Sequence, residues 1–384
     1  MFGARPDAVK MAPLVNLLRA DPRFDQAVCV TAQHRQMLDQ VLDVFGIAPD
    51  FDLNIMQESQ TLEDITTRAL AGVGSVVADA APDIVLTHGD TTTGFAASLA
   101  AFYRKVPVGH VEAGLRTHNA YFPFPEEMNR KLIGAIASMH FAPTPANREN
   151  LLREGVAGAD IYVTGNTAID ALKTTAREGY RFDADALNGL DFGRYRVLAV
   201  EAHRRENLGA PLRDILKALL HLLDAYRDMF VVFPAHLNPA VSGPVREALS
   251  GRERALVLEP LGLADMHNLM SRSYLVLSDS GGFQEEGPAL GAPVLVLRNE
   301  TERPEAVAAG TVRLAGNSFG SVVGAVAALA DDPGARRAMV RAGNPYGDGN
   351  AAARIAQAIA SRFLPGEPRP APFEAAPGAG ADSI

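Results

Sequence analysis

Cysteine is almost absent from this chain: Cys29 is the only one in 384 residues. No internal disulfide framework can form, and the composition fits a reducing cytoplasm. Cys29 lies in the apolar, strand-like run 27–30 and reads as buried and inert rather than catalytic. Long apolar runs are also missing. Stretches such as 195–200 and 229–233 are strand-length, well short of the ~20 residues a membrane helix requires. The N-terminus has neither the basic start nor the apolar stretch of a secretion signal. Basic charge is not in excess: 36 Lys and Arg against 45 Asp and Glu give a formal net charge of −9. That argues against a nucleic-acid binder. A small anion remains compatible, because local basic groups and backbone N–H donors can hold one.

Several motifs are absent as well. No G-x-G-x-x-G follows a strand, so a tightly bound dinucleotide is not expected. The nine histidines lack metal-type spacing such as H-E-x-x-H, and G-x-x-x-x-G-K-[ST] does not occur.

What is present is alternation. Short apolar runs at 27–31, 83–87, 107–111, 139–142 and 161–164 are separated by helical patterns. The second half repeats the scheme at 196–200, 230–234, 255–258, 275–278, 294–297 and 311–314. Helical spacing is plain in Met37, Val41, Val44 and Phe45, and in Leu212, Ile215, Leu216, Leu219, Leu220 and Leu223. Such alternation predicts parallel βαβ units, and the length favours two cores. The expected class is α/β, with two Rossmann-like doubly wound domains, 1–173 and 195–364, facing a cleft. A connector at 174–194 joins them, and a Pro-, Ala- and Gly-rich stretch, 365–384, reads as a disordered tail. The chain opens directly on a Gly-containing turn, so the first strand of the first domain reads as missing.

Candidate chemistry sits at strand ends. Asp90, in Thr87-His88-Gly89-Asp90-Thr91, is either a helix cap or a functional acid. Glu112, in Gly109-His110-Val111-Glu112-Ala113-Gly114-Leu115-Arg116, is a carboxylate between small residues, with an ion pair to Arg116 as the plain alternative. Glu126 and Glu127 follow a rigid Phe-Pro-Phe-Pro approach and enter a helix, where acidic side chains suit the dipole without any function. In the second half, His203 closely follows a strand and is a better ligand candidate than Arg204 or Arg205. Ser278-Asp279-Ser280-Gly281-Gly282 runs from a strand into a helix and leaves N–H groups suited to a diphosphate. Glu286 is placed to accept ribose hydroxyls, and Arg298 and Arg303 to add charge.

These motifs, with Gly3-Ala4-Arg5-Pro6-Asp7-Ala8-Val9-Lys10, Thr31-Ala32-Gln33-His34-Arg35, Pro125-Glu126-Glu127-Met128-Asn129-Arg130, His203-Arg204-Arg205-Glu206-Asn207 and 301–310, resemble the non-hydrolysing UDP-N-acetylglucosamine 2-epimerases. The resemblance runs in order from Gly3 to about Arg362. It implies a GT-B-like fold and reversible conversion of UDP-N-acetylglucosamine to UDP-N-acetylmannosamine, without NAD or metal. It also implies a homodimer and a product that feeds surface polysaccharides. UDP would be eliminated to give a 2-acetamidoglucal and then added back, which needs carboxyl groups on both faces of the sugar and an anion clamp.

By the same resemblance, Asp90, Glu112 and Glu126 are the acid–base groups. Arg5, Lys10, Arg130 and His203 balance the diphosphate or order the carboxylates. Ser280, Gly281 and Gly282 hold the phosphates, Glu286 the ribose, and Arg303 supports the region. Gln33, His34, Arg68 and His236 match positions linked to an activating second UDP-N-acetylglucosamine. Four residues depart from the family pattern: Ala4 for Thr, Asp7 for Glu, Glu201 for a small or hydroxyl residue, and Phe122 for Ser. A carboxylate at Glu201 is expected to disfavour a nearby diphosphate. The competing readings are a GT-B glycosyltransferase, an epimerase of a modified UDP-sugar, and a non-catalytic sensor. The acid trio argues against the first and the last.

Overall fold

The computed structural model describes residues 1–32, 35–57 and 60–375, with the side chains of 35–37 left aside. The chain forms two compact units, Met1–Thr174 with Tyr346–Glu374, and Thr175–Pro345.

In the first unit, β1 (Cys29–Val30) pairs with β2 (Phe51–Asp52). A four-stranded sheet runs β3 (Val85–His88), β4 (Val108–Val111), β5 (Met139–Ala142) and β6 (Ile161–Val163) in spatial order. All these pairings are parallel. Between β1 and β3 lie the first residues of the chain. Phe2 bridges to Val30, and the Met1 ammonium donates to the Leu86 carbonyl at 2.8 Å. Beside them is an apolar cavity of about 150 Å³ lined by Met11, Leu14, Val28, Val77 and Val85, among others. Every residue of β4 is buried, as expected of a parallel strand covered on both faces.

The second unit has a six-stranded parallel sheet. Its strands are β7 (Arg196–Glu201), β8 (Met229–Pro234), β9 (Ala255–Leu258), β10 (Leu275–Ser278), β11 (Val294–Val296) and β12 (Val312–Leu314). The spatial order is β12-β11-β10-β7-β8-β9, the doubly wound order with its reversal between β7 and β10. Helix Ala210–Ala225 shows why this core is robust. Leu212, Ile215, Leu216, Leu219, Leu222 and Leu223 are buried on one face. Six such side chains contribute on the order of 10 kcal/mol of gross burial, most of it offset by conformational entropy. Leu222, rather than the expected Leu220, completes the stripe, and Leu220 is only partly buried.

Two expected boundaries are corrected. The second domain was expected to continue to 364, but Tyr346–Glu374 belongs to the first unit. Helix Ala351–Phe363 packs on helix Arg5–Ala20 through an alanine-rich buried face that permits close approach. Its first amides, Ala351 and Ala352, donate to the Asp170 carboxylate at 3.1 and 2.8 Å, where the helix dipole favours negative charge. The stretch expected to be a disordered tail is held in place over 365–375. Phe373 is buried, its N–H donates to the Val163 carbonyl at 2.8 Å, and Arg369 lies over the Tyr162 ring. The connector at 174–194 packs into the second unit. Phe182 and Leu187 are buried, and Asp265 accepts from Asp183 N, Ala184 N and the Tyr180 hydroxyl, each at 2.9 Å. The stacked rings of Phe182 and Phe192 and the buried Asp265 acceptor outweigh the lack of periodicity there.

Candidate active site

In the first unit the structure brings two candidate pairs to the carboxyl ends of β3 and β4: Arg130 with Asp90, and Lys10 with Glu112. Gly89, at φ +60°, turns the chain out of β3. The neutral His110 ring donates from Nε2 to the Gly89 carbonyl at 2.8 Å, and burial pushes its pKa down to about 3. Of the two readings of Asp90, the cap is excluded: Thr91 caps helix Thr92–Tyr103 by accepting from Gly94 N. The Asp90 carboxylate instead accepts from Arg130 Nη2 at 2.5 Å, and its backbone carbonyl accepts from Asn129 Nδ2 at 2.8 Å.

Glu112 follows β4 in the left-handed region, at φ +63°. Such a conformation costs a non-glycine residue on the order of 1–3 kcal/mol and persists only where the surroundings impose it. Here the carboxylate is buried, pairs with Lys10 and accepts from Asn166 Nδ2 at 2.9 Å. Arg116 is not its partner; it forms a two-pronged pair with Glu154 at 2.7 and 2.8 Å. Two residues on, Gly114 sits at φ +89°, where a Cβ would meet the Asn147 carbonyl oxygen at 2.3 Å.

Glu126 and Glu127 open helix Glu126–Ile136 and separate cleanly. Glu127 is fully buried and accepts from Thr117 N at 3.0 Å and His118 N at 3.1 Å, so it shapes the preceding loop. Glu126 is half-buried and makes no hydrogen bond or ion pair among the described residues. Arg5 opens helix Arg5–Ala20, two residues before Asp7, and Lys10 lies on the same helix. Phe122 stands in an exposed loop, 66% accessible.

The second unit places its candidates at the reversal between β7 and β10, where open parallel sheets bind ligands beyond their carboxyl ends. Glu201 and Ser278 are register partners there. Asp279 is fully buried and accepts from His203 N at 3.0 Å, Arg204 N at 3.0 Å and Asn207 Nδ2 at 2.8 Å, fixing the turn after β7. Burial pushes the Asp279 carboxyl above its ordinary value despite these bonds. The Glu201 carboxylate, expected to repel a diphosphate, is compensated locally. It accepts from the Ser278 hydroxyl at 2.9 Å and binds His203 Nδ1, which holds the imidazole pKa up. His203 stacks on His236, with centroids 5.3 Å apart. Glu201, His203 and Asp279 bring potential metal-ligand atoms within 4.8 Å of one another. Asp279, however, is already saturated by N–H donors, so the cluster reads as a hydrogen-bonded imidazole holder.

Helix Gly281–Ala289 starts at Ser280 without a side-chain cap, which leaves its first amides available to an anion. Glu286 lies 3.4 Å from His267 Nε2. Arg303 bonds Glu285 at 2.5 Å and approaches Gly281, so it braces this helix. Arg298 pairs with Glu206 and Glu302.

Of the residues expected to bind an activator, Gln33 and His34 lie outside the described residues. Arg68 donates to Gln57 and Gln60 in the first unit, and His236 is exposed in the second. Residues that the sequence reading had left without a role are Asp7, His88, Asp279 and His267. The signal for Asp279 was in view, an acid between two serines at a strand end. The others needed long-range contacts to be seen.

Residues 16–360 match the family model described as UDP-N-acetylglucosamine 2-epimerase. The UDP-N-acetylglucosamine 2-epimerase of Bacillus subtilis is 52% identical over 359 residues, covering 94% of this chain and 93% of its own. The crystal structure of UDP-GlcNAc 2-epimerase from Neisseria meningitidis bound to UDP-GlcNAc is 46% identical. It superposes with a TM-score of 0.84 over 94% of this chain and 98% of its own. An S. aureus MnaA–UDP co-structure is 44% identical, with a TM-score of 0.87 over 97% and 98% of the two chains. The glycosyltransferase SnogD from Streptomyces nogalater, 16% identical with a TM-score of 0.62 over 92% and 97%, shares the fold alone, which is GT-B-like as expected. The chain belongs to the UDP-N-acetylglucosamine 2-epimerase family.

Proposed function

We propose that the chain interconverts UDP-N-acetylglucosamine and UDP-N-acetylmannosamine by eliminating and re-adding UDP. The carrying observation is three carboxyl groups in one unit in three different electrostatic settings. Asp90 is paired with Arg130, Glu112 is buried against Lys10, and Glu126 is half-buried without a partner. Groups held in different environments can divide acid and base duties. A base takes the C2 proton, the C1–O bond to UDP breaks with its electrons going to the diphosphate, and a C1–C2 double bond forms. Protonation of C2 from the other face and return of UDP to C1 complete the change, with no net redox. Ser280, Gly281 and Gly282 receive the diphosphate, with His203 as a cation beside it, and Glu286 takes the ribose hydroxyls. Arg5, Lys10 and Arg130 order the acids and balance negative charge.

The reading includes a homodimer in the cytoplasm, a product used for surface polysaccharides, and activation by a second UDP-N-acetylglucosamine at Gln33, His34, Arg68 and His236. Proton NMR in deuterated water tests the reaction. The expected result is UDP-N-acetylmannosamine with deuterium at C2. No product and no exchange would overturn the assignment. A hyperbolic, lag-free rate curve with UDP-N-acetylmannosamine alone would remove the activator.

A further inference from the structure

His88 ends β3 with an unusual problem. It is 3% exposed, and neither ring nitrogen has a hydrogen-bond partner among the described residues. Nδ1 lies 3.8 Å from Asp7 Oδ1, and Nε2 lies 3.7 Å from Glu112 Oε2. A neutral imidazole carries one N–H and one lone pair. Between two ionised carboxylates, one end must therefore set a lone pair against an oxygen lone pair. Buried polar atoms without partners are uncommon and costly. One extra proton on this line removes the conflict, because each ring nitrogen then either donates to a carboxylate or accepts from a carboxylic acid.

The neighbouring charges point the same way. Helix Arg5–Ala20 presents Asp7 and Lys10, and the end of β4 presents Glu112 and His110. Helix Thr92–Tyr103 faces β3 with Ser98, which bonds Thr87 and does not titrate. Lys10 pairs with the other oxygen of Glu112, and Asp7 accepts from the Thr91 hydroxyl at 3.0 Å. Two carboxylates against one ammonium leave one negative charge, which one shared proton cancels. His110 does not compete for that proton, since burial keeps it neutral down to about pH 3.

We propose that His88 is a positioning residue that shares one buried proton along the line Asp7–His88–Glu112 and so sets the charge and direction of the Glu112 carboxylate for proton transfer at C2. This rests on the reading that Glu112 belongs to the acid–base set. The line stores a proton where water does not reach, which suits a reaction that must take a proton from C2 and return one.

The test has two arms. Histidine-selective ¹⁵N NMR of the full chain at pH 7, with His88 identified by comparison with His88→Gln, needs no substrate. Two ring nitrogens that each carry or share a proton are expected. A plain neutral tautomer, with one nitrogen free of any proton, would overturn the proposal. In the second arm, His88→Gln is expected to lower kcat about 100-fold, within the range for acid–base groups. It should displace the pH dependence of kcat and leave KM within about twofold. An unchanged kcat profile would also overturn the proposal. If the wild type fails to exchange at C2, the functional reading falls, while the nitrogen shifts still decide the proton sharing. Circular dichroism of His88→Gln checks that it folds, and Asp7→Asn is expected to shift the same profile without touching the imidazole.

Discussion

Asp279 offers the sharpest test of how the second unit holds the turn after β7. The carboxylate accepts from His203 N, Arg204 N and Asn207 Nδ2 in a fully buried position. Asp279→Ala leaves three donors without an acceptor, each costing about 1–3 kcal/mol if it stays dry. Two effects reduce that sum. Burial already pushes the Asp279 carboxyl upward, so removing it relieves a desolvation cost. Part of the turn can also open to water. The net loss is about 3 kcal/mol, which for a unit of this size lowers Tm by about 6–12 °C. Hydrogen exchange at the His203 and Arg204 amides should accelerate in parallel, and kcat should fall because the His203 ring loses its fixed backbone. Asp279→Asn keeps the volume but turns an NH2 toward N–H donors, so it should lose at least about 1 kcal/mol. A melting temperature for Asp279→Ala within about 2 °C of wild type, with protected amides, would refute the claim that this carboxylate pins the turn.

Glu201 holds the His203 pKa above its ordinary value. The sign follows from linkage: the pair's stabilisation is fully present below the ordinary histidine pKa and is lost as pH rises through the raised one. Glu201→Gln is therefore expected to lower the His203 pKa in an NMR titration and to weaken UDP binding on the alkaline side first; an unmoved titration would refute it. Gly114→Ala forces a Cβ to 2.3 Å from the Asn147 carbonyl at φ +89°, and should cost more than about 2 kcal/mol in urea unfolding. Arg130→Lys keeps the charge but not the fork that reaches both Asp90 and Glu127. Its kcat should fall about 10- to 100-fold with KM little changed, as steady-state kinetics will show.

Much of the architecture was legible because parallel sheets covered on both faces read as short apolar runs. Runs 139–142, 255–258 and 275–278 coincide with β5, β9 and β10. β1 falls inside the expected run 27–31, whereas the two-residue β2 did not stand out, since a strand that short has no period to detect. The motif residues at the ends of β3, β4, β7 and β10 could be named from order and spacing alone, because the carboxyl end of a parallel strand is where such a sheet exposes function. Their partners could not. Periodicity carries no information on which distant side chain neutralises which, so a local pair between Glu112 and Arg116 stood open as the plain alternative, whereas the fold gives Arg116 Glu154, 38 residues away. The capping alternative for Asp90 was settled only when Thr91 took the cap and Arg130 took the carboxylate.

By itself, then, the sequence determined the fold class, the family and the positions of the candidate acid–base groups along the chain, since each depends on local spacing and residue type. Tertiary structure decided which partners surround them: Arg130 beside Asp90, and Lys10 beside Glu112. It also returned residues 346–374 to the first unit and set His88 between two acids. Burial and electrostatic pairing act through space, between residues that the chain order keeps far apart.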